Sequence, residues 1–375
     1  MQSSYLRLMT AGLVLSCATN QAYASIYTFF DLGALSGKDS QAAFSINNAG
    51  NIAGISFNLF VDDPVATVWN SGEARTLSPN NSWANAINSS GQVTGWAEDS
   101  DLYGKAVRWA GTTPTILPTL GGYTGEGVDI NAAGHVVGFS DTTGQWDMRA
   151  TIWKENTPKE LIGLTKGATS GATAINNLGQ IAGNSEGVGG FTYAVRWDND
   201  ASKATNLGIE GYSSYAYDIN DVGQVTGYAD SGVGTRATRW DGDIATDLGT
   251  LGGTYSQGYA INNSAQVVGW SFVDYKDEYI HATLWNGNTA INLNNYLSSD
   301  EKAAGWILRE ARGINDHGSI VGIASNPYGG QSAFLLSVVS AVPEPETYVM
   351  LLAGLSLVAL RVRLKKQANC IKCIV

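Results

Sequence analysis

Ile175-Asn176-Asn177-Leu178-Gly179-Gln180-Ile181-Ala182-Gly183 is the stretch whose reading decides the fold. The same phrase returns at Ile46–Gly54, Ile87–Gly95, Ile130–Gly138, Ile219–Gly227, Ile261–Gly269 and Ile314–Gly322. The seven copies start 41, 43, 45, 44, 42 and 53 residues apart. Each reads apolar-Asn-polar-x-Gly-polar-apolar-x-Gly. Asn bonds its own backbone and tolerates turn dihedrals, while Gly supplies positive φ, so Asn-x-x-Gly between apolar runs is hairpin chemistry. Ala265 replaces the turn glycine in the sixth copy, so that turn is expected to be strained or of another type. A period in the forties with several short strands per period points to a propeller or a stacked array.

Working outward from the phrase, each copy divides into four strands. Strand a ends in the Ile-Asn, and strand b follows the turn. Strand c carries Ala-x-x-Trp, at Trp69, Trp109, Trp153, Trp197, Trp240 and Trp285, with Leu336 in the seventh copy. Strand d is the short apolar piece after it, such as Ala245–Gly249. The body opens on an unpartnered strand d, Tyr27–Gly33, and closes on a strand c, Ser332–Val338. The first strand can therefore complete the last blade and protect its edges, a need that a linear solenoid does not have. The sequence predicts an all-β, seven-bladed β-propeller of four-stranded blades over residues 25–340, closed by the N-terminal strand.

Composition agrees. Glycine accounts for 45 of 375 residues, well above the usual share of about 7%, which suits many tight turns. Cys17, Cys370 and Cys373 all lie outside the repeats, so the body has no disulfide framework and relies on a large core. Net charge is −11, and the repeats alone carry 31 acidic against 16 basic residues. That argues against nucleic acid and anionic membrane surfaces as partners.

The two ends read as targeting segments. Residues 1–24 form a secretory signal peptide: Arg7, the apolar Leu8–Ala18, and Ala22-Tyr23-Ala24 as a cleavage site before Ser25. Residues 341–375 change composition: Val342-Pro343-Glu344-Pro345 is a stiff linker, Tyr348–Leu360 is apolar, and Arg361–Lys366 is basic. Thirteen apolar residues are fewer than the ~20 of a full span.

These segments carry two resemblances. The body resembles the HAF-repeat family of bacterial extracellular proteins, through His281-Ala282-Thr283-Leu284-Trp285 and the preceding Asp247-Leu248-Gly249-Thr250-Leu251-Gly252-Gly253. The tail resembles a PEP-CTERM sorting signal through Val342, Pro343, Glu344 and Pro345, the apolar segment and the basic cluster. That resemblance implies a C-terminal transmembrane sorting helix and transient residence in the inner membrane of a Gram-negative bacterium. It further implies an exosortase-type partner, and a destination at the cell surface or in the exopolysaccharide and biofilm matrix.

Motifs for chemistry are sparse. No nucleophile elbow, phosphate loop or dinucleotide fingerprint occurs in a strand-to-helix setting, and no cofactor, metal or catalytic set is expected. Asp198-Asn199-Asp200 and Asp241-Gly242-Asp243 match no full calcium loop. The Trp series reads as packing between blades. Arg108 and Arg196 stand one blade before Asp129 and Asp218, which suggests ion pairs between blades. His135 and His317 read as solvated turn residues.

The variable loops remain. The b–c loops and d–a connections share one face of a propeller, and they carry Tyr103, Tyr123, Trp146, Tyr193, Tyr212, Tyr255, Tyr275, Tyr279 and Tyr328. Asp101, Asp141, Asp147, Asp274 and Asp277 accompany them. Aromatics beside acids suit stacking on neutral or cationic sugars, or docking of protein. The expected function is non-enzymatic, with polysaccharide or protein bound on this loop face. The alternative is a polysaccharide hydrolase or lyase, which needs two carboxylates about 5–9.5 Å apart at the channel mouth.

Overall fold

The structure, a computed structural model, describes residues 26–78, 81–143, 147–200, 203–232, 234–276, 279–339 and 354–363. Residues Tyr27–Val338 form one compact unit of seven four-stranded antiparallel sheets. Blade one runs Ser40–Ile46, Ile52–Asn58, Val61–Asn70 and Glu73–Thr76 as strands a to d, each strand bonded to the next. The following blades repeat that order. The seventh consists of Ile307–Ile314, Ile320–Ser325 and Gln331–Val339, with Ile26–Asp31 from the other end of the body as its outermost strand. The Leu32 N–H donates to the Ala333 carbonyl at 3.0 Å beside that seam. The ring is closed by main-chain hydrogen bonds, which leaves no blade lacking its fourth strand.

Packing between blades rests on the strand c tryptophans. Trp69, Trp109, Trp153, Trp197, Trp240 and Trp285 are all fully buried, and Phe334 beside Leu336 fills the seventh blade. Trp69, Trp153 and Trp197 donate Nε1–H to the carbonyls of Gly33, Pro118 and Ile162, each at the end of the preceding blade's outer strand. Each ring therefore fills the gap between two sheets, where a large apolar side chain stabilises by about 1.5–3 kcal/mol on burial. Trp109, for example, packs with Leu77, Ile87 and Val93.

The two glycines of the repeated phrase have different jobs. The first is the turn residue, at φ 82° in Gly179 and close to that in the other copies. Ala265 holds the same turn at φ 59°, and its N–H still donates to the Asn262 carbonyl at 3.0 Å. The turn type is kept and the residue is strained. The second glycine lies in strand b, where a Cβ would fall 1.8–2.2 Å from a strand a carbonyl oxygen in every blade. That approach is close because strand a carries a β-bulge opposite it in all seven blades, at Ala43/Ser45, Ala84/Ala86, Gly127/Asp129, Ala172/Ala174, Ala216/Asp218, Gly258/Ala260 and Ala311/Gly313.

The long spacing before the seventh copy is an insertion between strand d of blade six (Thr289–Asn292) and strand a of blade seven. It holds a single turn, Leu293–Tyr296, and helix α1, Ser299–Ala304. Ser298 and Glu301 form a capping box on α1, and Gly305 ends it at φ 101°. Leu293 and Leu297 anchor the insertion in the core between blades six and seven.

The other unit comprises residues Met1–Ile26 and Val339–Val375. The signal peptide and Val342, Pro343, Glu344 and Pro345 lie outside the described residues. Of the expected transmembrane segment Tyr348–Leu360, residues 348–353 lie outside the described residues. The described residues 354–363 are helical. No described helix is long and apolar enough to cross a membrane.

Candidate functional site

Strand a is the innermost strand of every blade, so the seven a strands enclose a central channel. At the turn end, Asn47, Asn88, Asn131, Asn176, Asn220, Asn262 and Asn315 are all buried and form a closed collar. Each donates Nδ2–H to the backbone carbonyl of the corresponding Asn in the next blade, at 2.9–3.2 Å. The last of these bonds, Asn315 to Asn47, crosses between the ends of the body. Each Oδ1 accepts from the N–H groups two and four residues on, as at Leu178 and Gln180 for Asn176. One side chain type thus builds its own turn and ties it to its neighbour.

Above the collar, the bulge turns one extra side chain per blade into the lumen: Phe44, Asn85, Val128, Thr173, Tyr217, Tyr259 and Arg312. These are the residues that reasoning from sequence missed. The available signal was a variable position in strand a, next to a neighbour that is always Ala or Gly. Around them lies a cavity of about 350 Å³ that also touches Glu126, Asp129 and Asp218. Aromatic contacts line its wall. Phe44 stacks on Trp83 at 5.9 Å, Tyr217 meets Tyr228 at 5.8 Å and Tyr259 at 5.2 Å, and Trp270 Nε1–H donates to Tyr259 Oη at 2.9 Å. Burial, with Tyr228 and Tyr259 nearby, holds the Tyr217 phenol well above the ordinary tyrosine range.

The ion pairs expected of Asp129 and Asp218 do not form. Asp129 accepts from the Ile130 N–H and, across the blade boundary, from the Ile175 N–H, both at 2.8 Å. Asp218 does the same for Ile219 at 2.7 Å and Ile261 at 2.8 Å. The bulge frees these N–H groups from the ladder, and Ser45 Oγ serves Ile87 in the same way at 3.3 Å. Arg108 instead donates to the Gly134 carbonyl and Asn156 Oδ1, and Arg196 pairs with Asp198 at 3.0 Å. Desolvation pushes Asp129 up to about 6, and desolvation plus the charge of Asp129 pushes Asp218 up to about 7. Burial also raises Glu126, whose Oε1 accepts from Asn85 Nδ2 at 2.7 Å.

The loop-face residues are dispersed by comparison. Tyr103 and Tyr123 are brought together, stacked at 5.1 Å, with Lys105 bonded to the Tyr123 carbonyl and to Asp99 at 3.6 Å. Tyr212 and Tyr255 are partly exposed, and Tyr275, Tyr279 and Tyr328 more so, with Tyr275 and Tyr279 sharing the loop between Val267–Phe272 and Ile280–Asn286. Tyr193 is corrected: it is 3% exposed, packs against Phe191, and accepts from the Gly211 N–H through its hydroxyl. Its loop closes over the ring, which removes it from any ligand. Trp146 and Asp277 lie outside the described residues.

The remaining polar clusters are structural. Asp200 pairs with Lys154 at 3.1 Å and Lys159 at 3.3 Å, Asp241 pairs with Arg239 at 3.0 Å, and His281 Nδ1 meets Asn292 Nδ2 at 2.9 Å. Among the described residues, no three His, Cys, Asp or Glu side chains gather as metal ligands.

Comparison with known proteins bears on the tail and the fold. Residues 341–366 match the PEP-CTERM protein-sorting motif. The match implies an exported propeller protein, made as a membrane-anchored precursor for processing by exosortase and sorting to the cell surface. No curated protein matches it. Similar solved structures include the β-propeller domain of the Trilobed protease from Pyrococcus furiosus, at 11% identity and a TM-score of 0.49, covering 68% of this chain and 83% of that one. TolB from Acinetobacter baumannii is 10% identical with a TM-score of 0.44, covering 77% of this chain and 64% of that one. The six-bladed fucose-recognising lectin of Aleuria aurantia is 9% identical with a TM-score of 0.36, covering 67% and 92%. At these values the likeness carries no argument about activity.

Proposed function

We propose that the protein binds extracellular polysaccharide on the loop face of its propeller without altering it chemically, as an HAF-repeat-type component of the exopolysaccharide or biofilm matrix. The observation that carries this reading is the Tyr103–Tyr123 stack, with Tyr123 49% exposed beside Lys105 and Asp99. A flat aromatic surface rimmed by charged groups suits the apolar face and hydroxyls of a sugar ring. Tyr212, Tyr255, Tyr275, Tyr279 and Tyr328, exposed on other loops, would supply further separate contacts.

Hydrolase or lyase chemistry on this face has less support. The carboxyls with the most strongly raised protonation, Asp129 and Asp218, are the natural acid and base by environment. Each has both oxygens engaged by backbone N–H groups, which is a structural use. Glycan-array binding by the purified protein tests the proposal, with Tyr103→Ala and Tyr123→Ala as controls. Binding that both variants weaken supports it; cleavage of a bound polysaccharide, or binding indifferent to both variants, refutes it.

A further inference from the structure

The lumen above the asparagine collar has an unbalanced charge. Arg312 is the one basic residue among the described residues that line it. Its charge is already met by Glu310, at 2.5 Å from Nη2, and its guanidinium lies 4.1 Å from the centre of the Tyr259 ring. Asp129 and Asp218 are committed to main-chain donors. Glu126 remains, half-buried at the cavity wall and held by the amide of Asn85, with no ion pair to a basic side chain among the described residues. Asn85 gives its other N–H to the Gly127 carbonyl at 3.0 Å, leaving its amide oxygen to accept a hydroxyl. Phe44 and Tyr217 supply flat apolar walls to the same space.

We propose that this cavity is a binding site for an amine-bearing sugar unit, with Glu126 as counter-ion to the ammonium and the lumen aromatics against the ring. A carboxylate and π faces together favour an organic cation. A hard metal ion would want six to eight converging oxygens, and no group of three such ligands forms among the described residues. The hydroxyl acceptors and flat walls select a hydroxylated ring over a bare alkylamine. The volume of about 350 Å³ accommodates one sugar unit. For its ligand class the inference rests on the polysaccharide reading above, but it uses different residues.

The test is titration calorimetry of the full-length chain with glucosamine trimer, its N-acetylated counterpart, a neutral glucose trimer and n-propylammonium. The glucosamine trimer is expected to bind at least tenfold more tightly than the other three probes, and that preference is expected to disappear in Glu126→Gln. The comparison of free and acetylated amines needs no variant, and a matched thermal melt shows that Glu126→Gln folds. Equal binding of acetylated or neutral sugar, or indifference to Glu126→Gln, overturns the site. Equal binding of n-propylammonium overturns its assignment to a sugar. Binding of neutral glycan that is lost in Tyr103→Ala yet indifferent to Glu126→Gln leaves the loop-face reading standing alone.

Discussion

Replacing Asn176 tests whether the collar holds the ring together. Its Nδ2 donates to the Asn220 carbonyl at 3.0 Å and to Gln180 Oε1 at 2.9 Å, and its Oδ1 accepts from Leu178 N at 3.1 Å and Gln180 N at 2.9 Å. Each such bond is worth about 1 kcal/mol net, and a buried group left unpaired costs about 1–3 kcal/mol. The turn tip is open to water, since Leu178 is 72% exposed, so part of the loss is recovered there. Asn176→Ala is expected to destabilise by about 2–4 kcal/mol in a urea titration. Asn176→Asp keeps both accepting bonds but turns an anionic oxygen toward the Asn220 carbonyl. Its carboxyl in the folded protein is then raised above the ordinary value, so its stability relative to wild type should be best near pH 4. That relative stability should fall as the pH rises through neutrality. An Ala variant within about 0.5 kcal/mol of wild type, or an Asp variant whose deficit shrinks as the pH rises, would refute the reasoning. Asn315→Ala should cost a similar amount, because its bond to Asn47 closes the same collar.

Three further outcomes follow from the same structure. Ala265→Gly relieves an alanine at φ 59° and is expected to stabilise by about 0.5–1 kcal/mol after the added flexibility of the unfolded chain is counted; a lowered melting temperature would contradict it. Gly95→Ala places a Cβ 1.8 Å from the Trp83 carbonyl oxygen and should cost about 3 kcal/mol or more, by prying strands a and b apart at the bulge, as read by denaturation; a cost below about 1 kcal/mol would show that the bulge can yield. Asp129 and Asp218, raised to about 6 and about 7, keep protons that the unfolded chain releases near pH 4, so their contribution to stability is full below that pH and declines up to about pH 7. Each pKa unit is worth about 1.4 kcal/mol, and with a discount for water in the lumen the pair should account for about 2–4 kcal/mol. Wild type should lose that amount relative to Asp129→Asn/Asp218→Asn between pH 4 and 7, and parallel profiles would remove the carboxyls from the account.

The repeat, its four strands and its closure by the N-terminal strand were legible because each rests on local chemistry. Asn and Gly make a turn wherever they stand, a buried Trp recurs at one strand position, and the leftover strands at the two ends are complementary. The paired signs of Arg108 with Asp129 and Arg196 with Asp218 misled, because an orphaned main-chain N–H leaves no mark in a list of charges. The loop-face tyrosines were visible as residues but not as an arrangement. Only Tyr103 and Tyr123 meet in a stack, and Tyr193 is covered by its own loop.

The amino-acid sequence by itself determined the number of blades, the turn chemistry and the sorting tail. The tertiary structure alone decided what the channel is. A bulge is a register shift between two strands, so it exists only once strand a has paired with strand b. That shift explains why the second glycine of Ile175–Gly183 admits no side chain. It also explains why Asp129 and Asp218 turn to the backbone, and why Phe44, Asn85, Tyr217, Tyr259 and Arg312, dispersed along the chain, share one lumen. The asparagines likewise read as turn residues one at a time. Ring closure brings each within 2.9–3.2 Å of the next blade's carbonyl and makes them a collar.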